Sequence, residues 1–221
     1  MFVIESSGKK NDCKRIEDPN WFTKDATAIM ARNTLYNLKH GKPVLMTKFT
    51  NPTDKNWMKM TELESMHNDG YKLLHFAVCA VAECMIVVTG GTRMQGQTGK
   101  TDEVHIFDLN TEKWFTAGIP SLNRARMMHA ACAIQGTVYV AGGDRNDNTC
   151  EFLHLTTQAT NDKATSFTRK WQVIDLPPFE PLIRKSPLMA PINHGLMIIG
   201  GVDGDRERVS NGIYIEHAQD H

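Results

Sequence analysis

The stretch Gly99-Lys100-Thr101, reached through the glycine-rich run from Gly91, has the ending of a phosphate-binding loop, in which backbone N–H groups and a lysine cradle phosphate oxygens. The glycine that opens such a loop would stand at position 94, which is Met94, and no helical pattern follows. Asp203-Gly-Asp-Arg-Glu-Arg208 begins like a calcium loop but lacks the later oxygen ligands. The nine histidines are scattered, and His75 and His129 fall in apolar, strand-like runs, where packing or hydrogen bonding is their expected role. Five cysteines (Cys13, Cys79, Cys84, Cys132, Cys150) form an odd set with no Cys-x-x-Cys and no histidine at zinc spacing; they read as small apolar core thiols in a reducing compartment. No Gly-x-Ser-x-Gly and no Cys/His constellation occurs. The expectation is a protein that is not an enzyme and needs no cofactor or metal.

Charge narrows the partners. Lys+Arg and Asp+Glu both number 25, so the chain as a whole offers no basic field for nucleic acid or an anionic membrane. Met1 to Ile4 is followed at once by Glu5-Ser-Ser-Gly-Lys-Lys, which does not read as a signal peptide, and no apolar run approaches the roughly 20 residues needed to span a bilayer. A cytoplasmic protein is expected. At 221 residues the chain suits one or two domains, or one domain built from repeats.

Repeats are present. Gly90-Gly91, Gly142-Gly143 and Gly200-Gly201 each follow an apolar run, with spacings of 52 (142 − 90) and 58 (200 − 142). Trp57, Trp114 and Trp171 keep the same phase, each 57 residues after the last and each near the end of a polar turn. Within one period the apolar runs are short, β-branched or aromatic, and bounded by turn residues, which is the composition of strands. One unit divides into strands at 127–134, 137–141, 149–155 and 171–175; the preceding unit repeats the plan at 74–81, 85–89, 103–108 and 113–116. Four antiparallel strands in a repeat of this length make one propeller blade. Glycine at the end of the second strand lets neighbouring backbone approach, and tryptophan on the outermost strand buries a large area against the adjacent blade.

Arg126-Met-Met-His-Ala-Ala-Cys-Ala-Ile-Gln-Gly-Thr-Val-Tyr-Val-Ala-Gly-Gly143 and Val104-His-Ile-Phe-Asp-Leu-Asn-Thr-Glu-Lys-Trp114 resemble the two signature stretches of the Kelch repeat. The resemblance covers roughly residues 43–216 and implies an all-β propeller of about three and a half to four blades. Residues 217–221 form a tail. Residues 1–42 carry a possible degenerate blade ending at Trp21 or a ring-closing strand at 2–5, with a short helix expected over 24–37. The third Gly-Gly unit stops after a strand at 211–216, the unit ending in Trp57 has no Gly-Gly before its strand at 44–49, and the polar stretch 156–170 reads as a surface insertion. Kelch rings commonly resemble six- or seven-bladed propellers, which leaves three alternatives open: a small ring, a fragment, or a ring completed by another subunit.

By the same resemblance, the binding face is built from the loops before each first strand and after each Gly-Gly. Arg126 and Arg184 lie 16 residues before their doublets, and Leu74 takes that place in the other blade; arginines there would clamp a carboxylate of a partner. The loops after the doublets add Arg93, Asp144, Arg145, Asp203 and Arg206 as partner-binding candidates. The implied function is protein or peptide binding, as a substrate-recognition part of a ubiquitin-ligase adaptor or as a cytoskeletal or assembly factor. A structural subunit, assembling with its own copies or with a partner chain that completes the propeller, is the second reading. A propeller enzyme resembling galactose oxidase would need Tyr and His copper ligands that the four tyrosines do not place.

Overall fold

A computed structural model describes residues 2–5, 12–15, 26–49, 60–66, 70–94, 99–115, 118–143, 149–155, 170–175, 185–202 and 212–216. The described chain is all-β. Four successive antiparallel sheets, here blades I to IV, follow one another along it. Blade I comprises Ala26–Ala31, Thr34–Lys39, Leu45–Phe49 and Met60–Glu62; blade II, Ala77–Val81, Met85–Thr89, Val104–Asp108 and Lys113–Trp114. Blade III comprises Ala130–Ile134, Thr137–Ala141, Thr149–His154 and Gln172–Asp175, and blade IV contributes three described strands, Leu188–Ile192, Gly195–Ile199 and Gly212–Glu216. A small sheet of Lys72–Leu74, Thr92–Met94 and Gly99–Lys100 links the entry of blade II to the loop after its doublet.

The order is radial. Two residues before the first strand of blades II, III and IV stand His75, Met128 and Ser186, all left-handed, with φ of 55°, 53° and 51°. The Met128 N–H donates to the His75 carbonyl at 2.9 Å, and the Ser186 N–H donates to the Met128 carbonyl at 2.6 Å. This relay sets first strands side by side in chain order, as neighbouring blades around an axis require.

Apolar alternation explains the stacking. Ile86, Val88, Phe107 and Trp114 face blade I, packing on Tyr36, Leu38 and Met46. The intervening residues Met85, Val87 and Ile106 face blade III, packing on Val138, Val140 and Leu153. Tyr139 and Phe152 leave the other side of blade III against Leu196, Ile198 and Ile213 of blade IV. Each fully buried side chain of this kind contributes about 1.5–3 kcal/mol, so these interfaces outweigh any surface ion pair. The expected tryptophans behave as such anchors: Trp114 donates from Nε1 to the Glu64 carbonyl of blade I at 2.8 Å, and Trp171 donates to the Pro120 carbonyl at 3.0 Å. Trp21 and Trp57 lie outside the described residues, as does 156–169.

Residues 26–39 correct the expected helix. They form a hairpin turning at Arg32 and Asn33, whose φ of 48° and 58° suit a two-residue turn. Ala28, Ile29, Leu35 and Leu38 fit either period when read alone; the pairing of Leu38 with Met46 decides for strand, because it places Leu38 in the apolar face toward blade II. This hairpin shares a sheet with Leu45–Phe49, so the division set between residues 42 and 43 runs through blade I. Its doublet position is held by His40-Gly41, with the Leu73 N–H donating to the Gly41 carbonyl at 3.1 Å. Phe2–Glu5 pairs with Asp12–Arg15 in a separate sheet.

The doublets are hinges between blades. All six of their residues have positive φ. A Cβ on Gly90 would lie 2.6 Å from the Arg126 carbonyl oxygen and 2.8 Å from His129 Cε1, both of the next blade. On Gly143 it would lie 2.4 Å from the Met127 carbonyl oxygen, at the entry of its own blade. Gly143→Ala is therefore expected to destabilise by at least about 2 kcal/mol through strain plus backbone collision. Gly118→Ala, with a φ of 76° but open space around it, is expected to cost only about 1 kcal/mol. Urea unfolding of the two variants checks the difference.

Candidate partner-binding surface

The doublet end of blades II and III collects the described entry segments at Lys72–Leu74 and Arg126 and the strand Thr92–Met94 that carries Arg93. Arg126 is the first correction. It is fully buried, and so is Glu151, its ion-pair partner on the third strand of the same blade. Nε and Nη2 of Arg126 donate to Glu151 Oε1 at 3.0 and 2.9 Å, Nη2 also to Thr149 Oγ1 at 2.7 Å, and Nη1 to the Gly142 carbonyl at 3.1 Å. The arginine thus latches the doublet and the third strand of blade III to its entry segment. It presents no surface to a partner, because strand register sets a carboxylate in the desolvated slot opposite it.

Register also shows what stands at the Glu151 position in the other doublet blades. Val104, Cys150 and Gly212 pair with the residues that precede the doublets, Thr89, Ala141 and Ile199. The next residues, His105, Glu151 and Ile213, therefore occupy one equivalent position. The blade II hairpin is one residue longer than that of blade III, so Leu73, not Leu74, stands where Arg126 stands, four residues before the first strand; blade II has His105 where blade III has Glu151, and cation and carboxylate are replaced together.

Arg93 is where the sequence places it, on the strand that follows Gly90-Gly91, with 44% of its side chain accessible. Its guanidinium lies 4.5 Å from the centroid of the Tyr71 ring, a cation–π geometry. It forms an ion pair with Glu103, which also accepts the Tyr71 hydroxyl hydrogen bond, and His105 Nε2 lies 3.7 Å from Glu103 Oε2. Tyr71, Glu103 and His105 carry no sequence motif; the doublet-anchored register brings them together with Arg93. Such holding lowers the rotamer entropy an arginine loses when a partner binds. Asp144, Arg145, Arg184, Asp203 and Arg206 lie outside the described residues, so Arg93 and Arg126 are the sequence candidates with described positions, and they are on different networks.

Beneath this surface His129 is buried, its Nε2 2.8 Å from Thr89 Oγ1 of blade II. Burial, with the Arg126 charge adding to it, lowers its pKa from 6.5 to about 3. Burial likewise pushes the Cys79 thiol up and those of Cys132 and Cys150 to about 12, so these cysteines are neutral core groups. Among the described residues no group of three His, Cys, Asp or Glu could hold a metal ion, and no helix is long and apolar enough to cross a membrane.

No protein-family model matches the chain. Kelch-like protein 30 of Homo sapiens is 30% identical over 100 residues, which are 45% of this chain and 16% of that protein. Kelch-like protein 25 of Xenopus tropicalis is 26% identical over 147 residues, 61% of this chain and 22% of that protein. Among solved structures, YjhT superposes with a TM-score of 0.65 at 14% identity, over 88% of this chain and 64% of its own, and shares the propeller-type fold. The chain is similar in sequence to Kelch-like proteins and has the propeller-type fold. It spans less than a quarter of the length of these curated Kelch-like relatives and less than two thirds of YjhT.

Two outcomes follow for the Kelch blades. Arg126→Leu is expected to destabilise by about 3–5 kcal/mol by stranding the buried Glu151 carboxylate, and the double variant Arg126→Leu/Glu151→Leu by clearly less, as urea unfolding will read. For His129 the folded pKa lies below the unfolded one, so its contribution to stability is complete above pH 6.5 and is lost as pH falls toward 3. The loss is up to about 1.4 kcal/mol per pH unit in that window. Unfolding free energies across pH 4 to 7 should show this slope in the wild type and a shallower one in His129→Gln.

Proposed function

We propose that this Kelch-repeat chain is a protein-interaction module that engages an acidic segment of a protein partner through the loop side of its doublets. The observation that carries this reading is Arg93, accessible, set against Tyr71 and held by Glu103 directly after Gly90-Gly91. An incoming carboxylate can share the guanidinium bidentately, and Glu103 keeps the arginine in place before the partner arrives. The loops with Asp144, Arg145, Asp203 and Arg206, and the entry residue Arg184, extend the proposed surface from sequence position alone. Arg184 differs from Arg126 in one respect that favours this role: Ile213 stands at the register position of Glu151, so no buried carboxylate is built into blade IV at that place.

The Kelch-like names of the two relatives support partner binding over catalysis. The finer proposals are recognition of substrates for a ubiquitin ligase or a cytoskeletal or assembly role, in the cytoplasm. Affinity capture from cell extract with the wild type beside Arg93→Glu, with folding verified by circular dichroism, tests the surface. Recovery of the captured partner is expected to fall by about tenfold or more, since a charge-assisted pair becomes a repulsion. Equal recovery would remove Arg93 from the interface. Co-capture of a cullin would support the ligase reading over the others.

A further inference from the structure

His105 occupies in blade II the register position that Glu151 holds in blade III and Ile213 in blade IV. In blade III that position carries the carboxylate that draws Arg126 into the sheet. In blade II the carboxylate comes two residues earlier, at Glu103, and a titratable base fills the inner place instead. Accessibility falls from Arg93 through Glu103 to His105, whose side chains are 44%, 24% and 18% accessible.

The contacts meet on one oxygen. Arg93 Nε donates to Glu103 Oε2 at 3.3 Å, the Tyr71 hydroxyl donates to the same oxygen, and His105 Nε2 lies 3.7 Å from it. Arg93 Nη2 donates to Oε1. With a neutral imidazole, Glu103 has Arg93 as its cation. An imidazolium offers it a second, close enough that a small side-chain rotation makes a charge-assisted hydrogen bond. The carboxylate charge is then shared by two cations, which leaves the guanidinium less neutralised toward an incoming carboxylate.

The neighbouring elements bring few other charges to His105. Met85–Thr89, which pairs with its strand and sets Val88 opposite it, has no titratable side chain. On the other flank Lys113 pairs with Asp108 at the far end of the strand. From blade I, Glu64 brings Oε2 to 3.4 Å from the Trp114 nitrogen, and a Cβ on Gly70 would lie 3.8 Å from Lys42 Nζ, which places that cation one residue from Tyr71. Lys72, Lys100 and Asp102, beside Tyr71 and ahead of Glu103 in the chain, are exposed.

We propose that His105 is a proton-operated control on the acidic-partner surface: on taking up a proton it shares Glu103 with Arg93 and raises the affinity of Arg93 for a partner carboxylate. This rests on the reading of Arg93 as the contact for an acidic segment. Histidine ordinarily changes charge between about pH 5 and 8, and over most of that range ordinary carboxylates stay ionised, so the control acts while the partner keeps its charge. Partner binding and proton uptake at His105 favour each other by the same factor.

Two readouts on the full chain separate the coupling from the surface. The first needs no partner: the ¹⁵N NMR signal of Arg93 Nε–H, assigned by its loss in Arg93→Lys, is followed between about pH 6 and about pH 8. It is expected to shift in the wild type and to stay still in His105→Gln. Glu103→Gln, which serves should His105→Gln fail to fold, is expected to remove most of the shift. A wild-type signal that does not move, or that moves equally in the variants, overturns the proposal. The second readout is anisotropy of a fluorescein-labelled hexaglutamate peptide at constant ionic strength. Its affinity is expected to be about fivefold or more higher at the lower pH in the wild type and nearly equal at both in His105→Gln. The same pH dependence in both proteins overturns the control. A peptide that does not bind at either pH, or that binds regardless of Arg93→Glu, defeats the acidic-partner reading instead, and the NMR shift still decides whether His105 acts on Arg93.

Discussion

Each inner sheet of this protein is apolar on both faces, and that requirement for two-sided cover organises everything else. A sheet with Ile86 and Val88 on one side and Met85 and Val87 on the other cannot rest in water on either. Only a neighbour of the same construction offers a matching surface at the right angle, so the blades recruit one another and the first strands gather around an axis. The left-handed residues at His75, Met128 and Ser186 belong to the same constraint, since they turn each entry segment so that its backbone can reach the preceding blade. Non-glycine residues in that region are uncommon, and here the inter-blade hydrogen bonds offset their cost.

Polar groups are spent where apolar packing leaves backbone unsatisfied. Arg126 is buried because it ties together the Gly142 carbonyl, Thr149 and Glu151, three groups that converge where the blade entry passes its doublet. Arg93, on the short strand after the doublet of blade II, is in contact with Glu103, and Tyr71 closes one side of it. The two arginines look alike in the sequence and have opposite fates. What separates them is whether strand register sets the carboxylate inside the sheet or at its rim.

Much of the architecture was legible beforehand because glycine doublets and indoles answer to geometry that recurs once per blade. Strand limits came within a few residues wherever a doublet marked the second strand's end. Blade I was misjudged where that marker is reduced to His40-Gly41, and the hairpin turn at Arg32-Asn33 has a weaker signature than an Asn-Gly pair. Arg126 was misplaced because a motif position says nothing about desolvation; Glu151, present in one repeat and replaced by His105 in another, was the available clue. The cluster around Arg93 could not be read at all, since Tyr71 and Glu103 meet only through the pairing of Thr92–Met94 with Lys72–Leu74 and the return of the chain at Val104.

The joint replacement of Arg126 and Glu151 by Leu73 and His105 makes the blades a family of parts that are alike in outline and private in their fastenings. A chimera that moved the third strand of blade III into blade II would carry a carboxylate into a slot lined by leucine, and the reverse exchange would orphan a guanidinium. Recombination between repeats of this chain is therefore tolerated only when entry segment and third strand travel as one piece, which sets the whole blade, rather than the strand, as the unit that duplication can copy.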